Sequence, residues 1–327
     1  MVKNRRVTSF NQLTVEQQVE SLMPLAKDIV EEFEFGDFAI ESINHEFNST
    51  FKISSPDGRT FALRINVNSK RSLANLRAEI FWVRELSKVE GLTVASPVAN
   101  ARGEFILSRH HELLGRDLLA VMFDWLDGEE LAESHDLTGV ALTGESIARM
   151  HLASRETQLP TGAELATLTD FFWGAPNSIE TAIELPEPVR ATLLAAVEHI
   201  QAVTDRLYAR HKPQLIHADV HSWNVMWNGR DVAIFDFDDC GIGLPIQDLA
   251  VALYYLDTQE QRDALLDGYR RVTELPDYSA DELRALLLQR RIFLLNYLLE
   301  TENPDHRAMV PKYLDETLNR VAKSKFD

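Results

Sequence analysis

A short strand–turn–strand pattern at residues 214–239 interrupts the helix-rich second half of this 327-residue chain, and it constrains the fold more than any other segment. Five polar residues lie within it: His217, Asp219, His221, Asn224 and Asp236. Asn228 and Gly229 form a dipeptide typical of a tight hairpin turn, in which glycine accepts positive φ. Such a hairpin would bring Asn224 and Asp236 close together on neighbouring strands.

The spacing of these polar residues indicates phosphoryl-transfer chemistry. An aspartate, an asparagine five positions later and an aspartate twelve positions after that can orient a hydroxyl and hold magnesium around ATP phosphates. The oxygen ligands of Asn224 and Asp236 suit Mg²⁺, which also binds phosphate oxygens and water. Asp219 can accept or orient the proton of a substrate hydroxyl. A transition-metal site formed by His217, Asp219 and His221 stays open as an alternative.

The rest of the chain divides at about residue 127. Before it, apolar periodicity predicts helices at 14–34 and 73–86 and strands at 38–43, 49–54, 60–65, 104–108 and 118–125. After it, helices are predicted at 138–155, 187–211, 246–256, 259–273, 280–301 and 309–324. We therefore predict an α+β fold with an N-terminal helical segment (1–34), a strand-rich lobe (35–126) and a helix-rich lobe (127–327).

Composition narrows the function classes. The net charge of −18 repels nucleic acid phosphates and mildly favours a cationic small-molecule partner, although many proteins are acidic for solubility alone. The single cysteine, Cys240, allows no internal disulfide. No secretory signal precedes the first helix, and no run of about 18 apolar residues predicts a membrane span. We therefore expect a cytoplasmic location, with no nucleic acid or membrane partner.

Three spaced motifs resemble those of the aminoglycoside phosphotransferase and choline kinase-like family, which includes homoserine kinase-like and bacterial stress-response Ser/Thr kinase-like members. Residues 217–224 (HADVHSWN) are similar to its H-G-D-x-H-x-x-N motif, residues 236–239 to its D-F-D-D motif and residues 247–250 to its helix-start D-L-A motif. They occur in the same order, and the resemblance covers roughly residues 35–300.

The resemblance implies a bilobal protein kinase-like fold, with an antiparallel β-rich N-terminal lobe, a larger, mostly helical C-terminal lobe and ATP between them. Asp219 would be catalytic, and Asn224 and Asp236 would bind Mg²⁺. Four supporting residues follow. His217 orders the loop, and His221 either packs in the loop or contacts the substrate or the metal shell. Asp238 orders its turn or binds a second cation, and Asp248 caps the next helix and braces the catalytic loop.

The nucleotide-binding residues also follow from the resemblance. Arg64 occupies the strand position of the phosphate-contacting cation, where Arg can act as a bidentate phosphate binder. Glu79 is placed to pair with Arg64, as in the kinase Lys–Glu pair. Residues Asn48, Ser49 and Thr50 resemble the nucleotide loop, although the expected glycine is absent. Phe123 and Trp125 mark the hinge whose backbone would bind adenine.

The expected function is ATP- and Mg²⁺-dependent phosphoryl transfer to a hydroxyl of a small molecule, such as an amino alcohol, an aminoglycoside-like or a homoserine-like acceptor. Glu300, Glu302 and Asp305 are expected to line the acceptor site. Two alternatives remain: a Ser/Thr protein kinase of the same family, and a catalytically silent pseudokinase. The irregular nucleotide loop is the only feature that favours the pseudokinase.

Overall fold

The computed structural model describes residues 9–69, 71–134 and 136–324, so the outermost residues of the predicted segments 1–34 and 127–327 lie outside the described residues. The chain forms two compact units. Unit 1 comprises Met1–Lys88, Val94–Asp127 and Leu159–Glu164; unit 2 comprises Val89–Thr93, Gly128–Gln158 and Leu165–Asp327. An antiparallel sheet dominates unit 1 and helices dominate unit 2, so the predicted α+β class is confirmed.

Unit 1 is built on one six-stranded antiparallel sheet. Its elements are α1 (Val15–Glu31), β1 (Ala39–His45), β2 (Ser49–Ser54), β3 (Thr60–Ile65), α2 (Leu73–Leu86), β4 (Pro97–Val98), β5 (Ile106–His111) and β6 (Arg116–Asp124). The strand order is β1-β2-β3-β6, and both β4 and β5 pair with β6. Gly58, with φ of 89°, lies in the turn between β2 and β3.

The period-2 pattern of the strands places alternate side chains in the core of unit 1. Phe51 and Ile53 of β2 are fully buried, as are Leu63 and Ile65 of β3. The apolar face of α1 joins the same core cluster. Burying one such side chain contributes roughly 1.5–3 kcal/mol, so this core holds the sheet and its register together.

Unit 2 is mainly helical. Its helices are α3 (Leu131–Ser134), α4 (Leu137–Ser154), α5 (Ser178–Thr181), α6 (Glu187–Arg210), α7 (Pro245–Tyr254), α8 (Gln259–Val272), α9 (Ala280–Glu300), α10 (Pro304–Ala308) and α11 (Val310–Lys323). Its strands are β7 (Glu129–Glu130), β8 (Gln214–Ile216), β9 (Val225–Trp227), β10 (Val232–Ile234) and β11 (Gly241–Gly243). Within the described ranges, no helix is both long and apolar enough to cross a membrane.

Helices α4 and α8 pack almost backbone to backbone. A Cβ atom on Gly144 would lie 2.0 Å from the carbonyl oxygen of Leu265, and one on Gly268 would lie 1.8 Å from that of Ala141. Only glycine fits at these two positions. The contact fixes α4, whose last turn carries His151 towards the catalytic loop.

The predicted hairpin is present, but its first strand starts later than expected. β9 and β10 pair antiparallel, and Gly229 in their connection has φ of 87°. The prediction that Asn224 lies on the first strand was wrong, because Ser222–Asn224 forms a single 3₁₀ turn. The backbone N–H of Asn224 donates to the carbonyl of His221 at 2.8 Å, which turns the chain before the strand begins.

Candidate active site

Asp248 braces the catalytic loop through hydrogen bonds. It is the fourth residue of α7 and fully buried. Its carboxylate accepts hydrogen bonds from the backbone N–H groups of His217 at 3.0 Å and Ala218 at 2.6 Å, and from His151 Nε2 at 3.0 Å. The prediction that Asp248 caps the helix was wrong, because the residue lies inside α7 and Gln247 makes the capping bond to the N–H of Leu244. The carboxylate instead ties the loop to two helices.

The hydrogen bonds from the loop to Asp248 also stabilise an unfavourable backbone conformation at Ala218. Ala218 has φ of 67°, in the left-handed region that non-glycine residues seldom adopt. Its N–H is the group that bonds most closely to Asp248. The hydrogen bond therefore stabilises the turn that presents Asp219.

We expect Asp248→Asn to destabilise the protein by about 2 kcal/mol and to lower kcat at least tenfold, since an amide cannot accept all three bonds. Urea denaturation and turnover assays measure the two effects. Ala218→Gly, which removes the cost of the positive φ, should restore part of the activity to the Asp248→Asn protein. Asp267→Asn, at an exposed position on α8, is the matched control. Loss of stability with normal turnover would contradict a role for Asp248 in holding the loop.

Asp219 forms a buried ion pair that the sequence did not predict. Its Oδ1 accepts a short hydrogen bond from Arg290 Nη2, and the same nitrogen donates to the hydroxyl of Tyr255 at 2.9 Å. Arg290 lies in the middle of α9 and is only 7% exposed. Asp219 is therefore oriented by a fixed cation, and its Oδ2 faces His221 Nε2 at 3.4 Å.

The ion pair determines the charge state of Asp219. Burial by itself would raise the pKa of this carboxyl, but the Arg290 guanidinium, with smaller contributions from His221 and His217, outweighs burial and holds the pKa below its usual range. Burial opposes the charge on Arg290, yet Asp219 and Tyr255 raise the pKa of its guanidinium above the usual value. Asp219 is thus a stable anion and a weak base, which suits orientation of a hydroxyl better than early proton removal.

Asn224 and Asp236 are brought together by the hairpin. The N–H of Phe235 donates to the carbonyl of Asn224 at 3.1 Å, and Asp236 follows directly with φ of 60°. The Nδ2 of Asn224 donates to the carbonyl and Oδ2 of Asp219, at 3.0 and 3.2 Å. The amide nitrogen of Asn224 makes these bonds, so the amide oxygen is the atom that can bind a metal. One amide oxygen and one carboxylate fit Mg²⁺, which takes its remaining ligands from phosphates and water.

The two histidines of the loop have different surroundings. His217 donates from Nε2 to the carbonyl of Phe235 at 3.0 Å and accepts the N–H of Asp219 on Nδ1 at 3.2 Å. His221 packs on the ring of Tyr255 with centroids 4.6 Å apart. Among the described residues, no three His, Cys, Asp or Glu side chains are arranged to hold a metal, so the alternative transition-metal site finds no support.

In unit 1, Arg64 and Glu79 form the predicted contact. Arg64 Nη2 donates to both carboxylate oxygens of Glu79 at 2.8 Å, and both side chains are buried. The Arg64 guanidinium also lies 5.2 Å from the ring centroid of Phe123 on β6. Arg64 is thus fixed by a carboxylate from α2 and by an aromatic ring.

The other predicted nucleotide-binding residues lie on the same sheet. Ser49 and Thr50 open β2, and the buried hydroxyl of Ser49 bonds to His45 Nδ1 at 2.6 Å. Asn48 lies in the β1–β2 turn, where the backbone N–H groups of Asn68 and Ser69 both donate to the Phe47 carbonyl. That turn is therefore held by neighbouring backbone. Trp125 follows β6 and packs against Lys52, whose Nζ lies 4.4 Å from its ring centroid.

Four residues at the site were missed by the sequence analysis: His151, Trp173, Tyr255 and Arg290. A signal existed for one of them. Arg290 stands with Arg291 inside the otherwise apolar run LLLQRRIFLLNYLL, and a charge within a buried run needs a partner. His151 and Trp173 lie far from residues 217–239, Tyr255 lies five residues after the 247–250 motif, and none of the three has a local signal.

Comparisons with known proteins agree with this geometry. A model of a family described as "Phosphotransferase enzyme family" matches residues 40–285. The chain is 25% identical over 203 residues to the amicoumacin kinase of Bacillus subtilis (strain 168), a match that covers 61% of this chain and 57% of that relative. The matched region thus spans little more than half of the relative's length.

Solved structures show the same fold. An amicoumacin kinase in complex with AMP-PNP, Ca²⁺ and Ami superimposes with a TM-score of 0.75 at 21% identity, covering 96% of this chain and 98% of that chain. A microcompartment-associated aminopropanol kinase superimposes with a TM-score of 0.79 at 19% identity, covering 92% and 97%. The predicted protein kinase-like fold is confirmed.

Proposed function

The chain belongs to the phosphotransferase enzyme family, and from this premise we propose that it transfers the γ-phosphate of ATP to a hydroxyl group of a small molecule with the help of Mg²⁺. The observation that carries the proposal is the convergence of Asp219, Asn224 and Asp236 on one braced loop and hairpin. A kinase needs one residue to orient the hydroxyl and two oxygen ligands for the metal. We also propose a cytoplasmic location, since the sequence has a single cysteine and therefore no internal disulfide.

Asp219 orients the acceptor hydroxyl for in-line attack on the γ-phosphorus. Because Arg290 keeps Asp219 ionised, a further lone pair on Oδ2, beside the bond from Asn224, accepts the hydroxyl hydrogen bond throughout the approach. The proton moves late, since the transition state is largely dissociative and demands little base strength. Positioning of the hydroxyl is thus the main contribution of Asp219 to the reaction rate.

Asn224 and Asp236 would hold Mg²⁺, which neutralises charge on the transferred phosphoryl group when bound. Asn224 also bonds to Asp219, so the metal ligand and the hydroxyl-orienting group are coupled through one amide. Arg64, fixed by Glu79, would contact the α- and β-phosphates. Phe123 and Trp125 remain the proposed adenine-side residues, and Asn48, Ser49 and Thr50 the proposed nucleotide turn.

The acceptor is proposed to be a small molecule rather than a protein, as the names of the relatives include an amicoumacin kinase and an aminopropanol kinase. A cationic acceptor bound by Glu300, Glu302 and Asp305 is poorly supported. Glu300 ends α9 ten residues after Arg290, which places it about 15 Å along the helix from the catalytic loop. The acceptor's charge must therefore be judged from residues nearer Asp219.

The proposal is tested by nucleotide binding followed by turnover. ATP with Mg²⁺ should raise the Tm, with a stabilisation of about 2.7 kcal/mol at a nucleotide concentration of 100 Kd. ATP consumption should then depend on an added small acceptor in a screen of amines, sugars, amino acids, hydroxy acids and generic protein substrates. Absence of any ATP-dependent stabilisation would reject the proposal. Stabilisation without turnover of any acceptor would favour the pseudokinase, and selective use of protein substrates the protein kinase.

A further inference from the structure

A small cavity in unit 2 borders the ion pair of the catalytic loop. Its volume is about 10 Å³, room for about one water molecule or one oxygen-bearing group. The lining residues come from α7, α9 and the segment before α5: Trp173, Gln247, Ala250, Val251, Leu286, Gln289, Arg290 and Phe293. Arg290 therefore contacts Asp219 and this cavity at once.

Two lining residues carry buried N–H groups that have no hydrogen-bond partner among the described residues: Trp173 Nε1 and Arg290 Nε. On the same guanidinium, Nη2 donates to Asp219 and Tyr255. A buried donor that lacks a partner is costly, because it has lost its bonds to water. Two such donors on one cavity indicate that a ligand group or a water supplies their partner.

The direction of the Trp173 indole is fixed by its backbone. Trp173 has φ of 52° and is followed by Gly174 with φ of 82°. The carboxylate of Asp170 accepts the N–H groups of Phe172 and Gly174, both at 3.1 Å, which holds the turn. The indole packs on Phe293 with centroids 5.2 Å apart. A left-handed non-glycine residue costs of order 1–3 kcal/mol and persists only when its surroundings require it.

The two orphaned polar atoms among the residues that line the cavity are donors. Its lining contains no carboxylate. The Gln247 side-chain oxygen is already taken by the N–H of Leu244 and the hydroxyl of Tyr208, at 2.8 and 2.9 Å. An oxygen with free lone pairs would satisfy both orphaned donors, whereas an ammonium group, itself a donor, would satisfy neither.

We propose that Trp173 and Arg290 form an oxygen-binding subsite that selects acceptors with a carboxylate or carbonyl oxygen close to the reactive hydroxyl. The inference rests on the proposed function, whose acceptor it narrows. Because one guanidinium joins Asp219 to the subsite, the hydroxyl and the oxygen are separated by only a few bonds. Homoserine-like hydroxy acids and hydroxy amides match this arrangement, and simple amino alcohols do not.

The test follows the Trp173 indole N–H by ¹H–¹⁵N NMR in the full chain. The protein has five tryptophans, and loss of one indole signal in Trp173→Phe assigns the resonance. The first probes are an acid, its amide and the matching amine: hydroxybutyrate, hydroxybutyramide and aminobutanol. Glycolate and hydroxypropionate, each with its matched amide and amine, provide shorter probes. Every probe is titrated at constant ionic strength. We expect the acids or amides, and not the amines, to shift the Trp173 signal to lower field.

A conservative variant checks the contribution of Arg290. Arg290→Lys keeps a cation beside Asp219 but lacks Nε, so the affinity for the oxygen-bearing probes should fall at least tenfold, or about 1.4 kcal/mol. The difference in affinity between the acids and the amides identifies whether a carboxylate or a carbonyl oxygen is preferred. A shift caused equally by the amines, or unchanged affinity in Arg290→Lys, would overturn the subsite. No shift with any probe would mean that the cavity holds only a water, and would overturn it too.

This outcome is separable from that of the proposed function. The NMR titration needs no nucleotide and no turnover. If ATP with Mg²⁺ stabilises the protein but Trp173 does not respond, only the subsite is rejected. If Trp173 responds to the acids or amides but ATP does not bind, the phosphotransferase proposal is rejected while the subsite stands.

Discussion

Asp236→Ala is expected to lower ATP-dependent phosphoryl transfer by a factor on the order of 10³ or more while the protein stays folded. Asp236 is the only carboxylate of the two proposed Mg²⁺ ligands, and charge neutralisation on the phosphates accounts for much of the rate in this chemistry. The residue ends the hairpin and is not part of the core clusters, so folding should persist. Turnover with saturating ATP and the acceptor found by screening measures the loss.

Two controls separate charge from conformation. Asp236 has φ of 60°, where alanine adds a backbone cost, whereas asparagine tolerates this region. Asp236→Asn should therefore keep the stability of the native protein and still lose most activity. Asp231→Ala removes an exposed aspartate from the same hairpin and should leave turnover unchanged. ATP-dependent turnover at the native rate in both Asp236 variants would remove this residue from the mechanism.

Asp219→Asn is expected to combine a 10²- to 10⁴-fold loss of kcat with a loss of stability of about 3 kcal/mol. The loss of kcat is expected because the substitution removes the group that orients the hydroxyl. The second follows because Arg290 would be left as a buried, unpaired cation, and breaking a buried ion pair typically costs 3–5 kcal/mol. Urea denaturation and turnover assays are needed on the same preparations.

The double variant Asp219→Asn/Arg290→Met distinguishes the two effects. Removing the cation should restore most of the stability lost in Asp219→Asn but none of the turnover. Stability that stays low in the double variant would contradict the ion pair as its cause. Because the pKa of Asp219 is lowered in the folded state, the pair stabilises fully above about pH 5 and less as the pH falls. The difference in the free energy of unfolding between the native and Asp219→Asn proteins should therefore become smaller at acidic pH.

The features predicted from sequence were those set by nearby residues. Helix α2 begins and ends at the predicted residues, since its apolar spacing and its Ser72 N-cap are local signals. The strands β2 and β3 likewise follow from alternation and one turn. The Asn228-Gly229 dipeptide indicated the hairpin, and Asp219, Asn224 and Asp236 lie within 18 residues around it.

The features that were missed depend on tertiary contacts. Asp248 was expected both to cap its helix and to brace the catalytic loop. The local capping role is absent, and the residues that its carboxylate contacts, thirty residues earlier in the chain, could not be named from the sequence. Arg290 joins Asp219 across 71 residues, and Trp173 reaches the same cavity from another segment. No periodicity or motif encodes which buried arginine meets which aspartate, because that depends on how α7 and α9 pack.

The distance in sequence between Asp219 and Arg290 has a consequence during synthesis. At 5–20 residues per second, the ribosome needs roughly 4–14 seconds to make the 71 residues that separate them. For that interval the nascent chain carries Asp219 without its counter-ion, and the loop cannot reach its final form. Completion of the catalytic loop is therefore a late event in biogenesis, which begins only after α9 has left the ribosome.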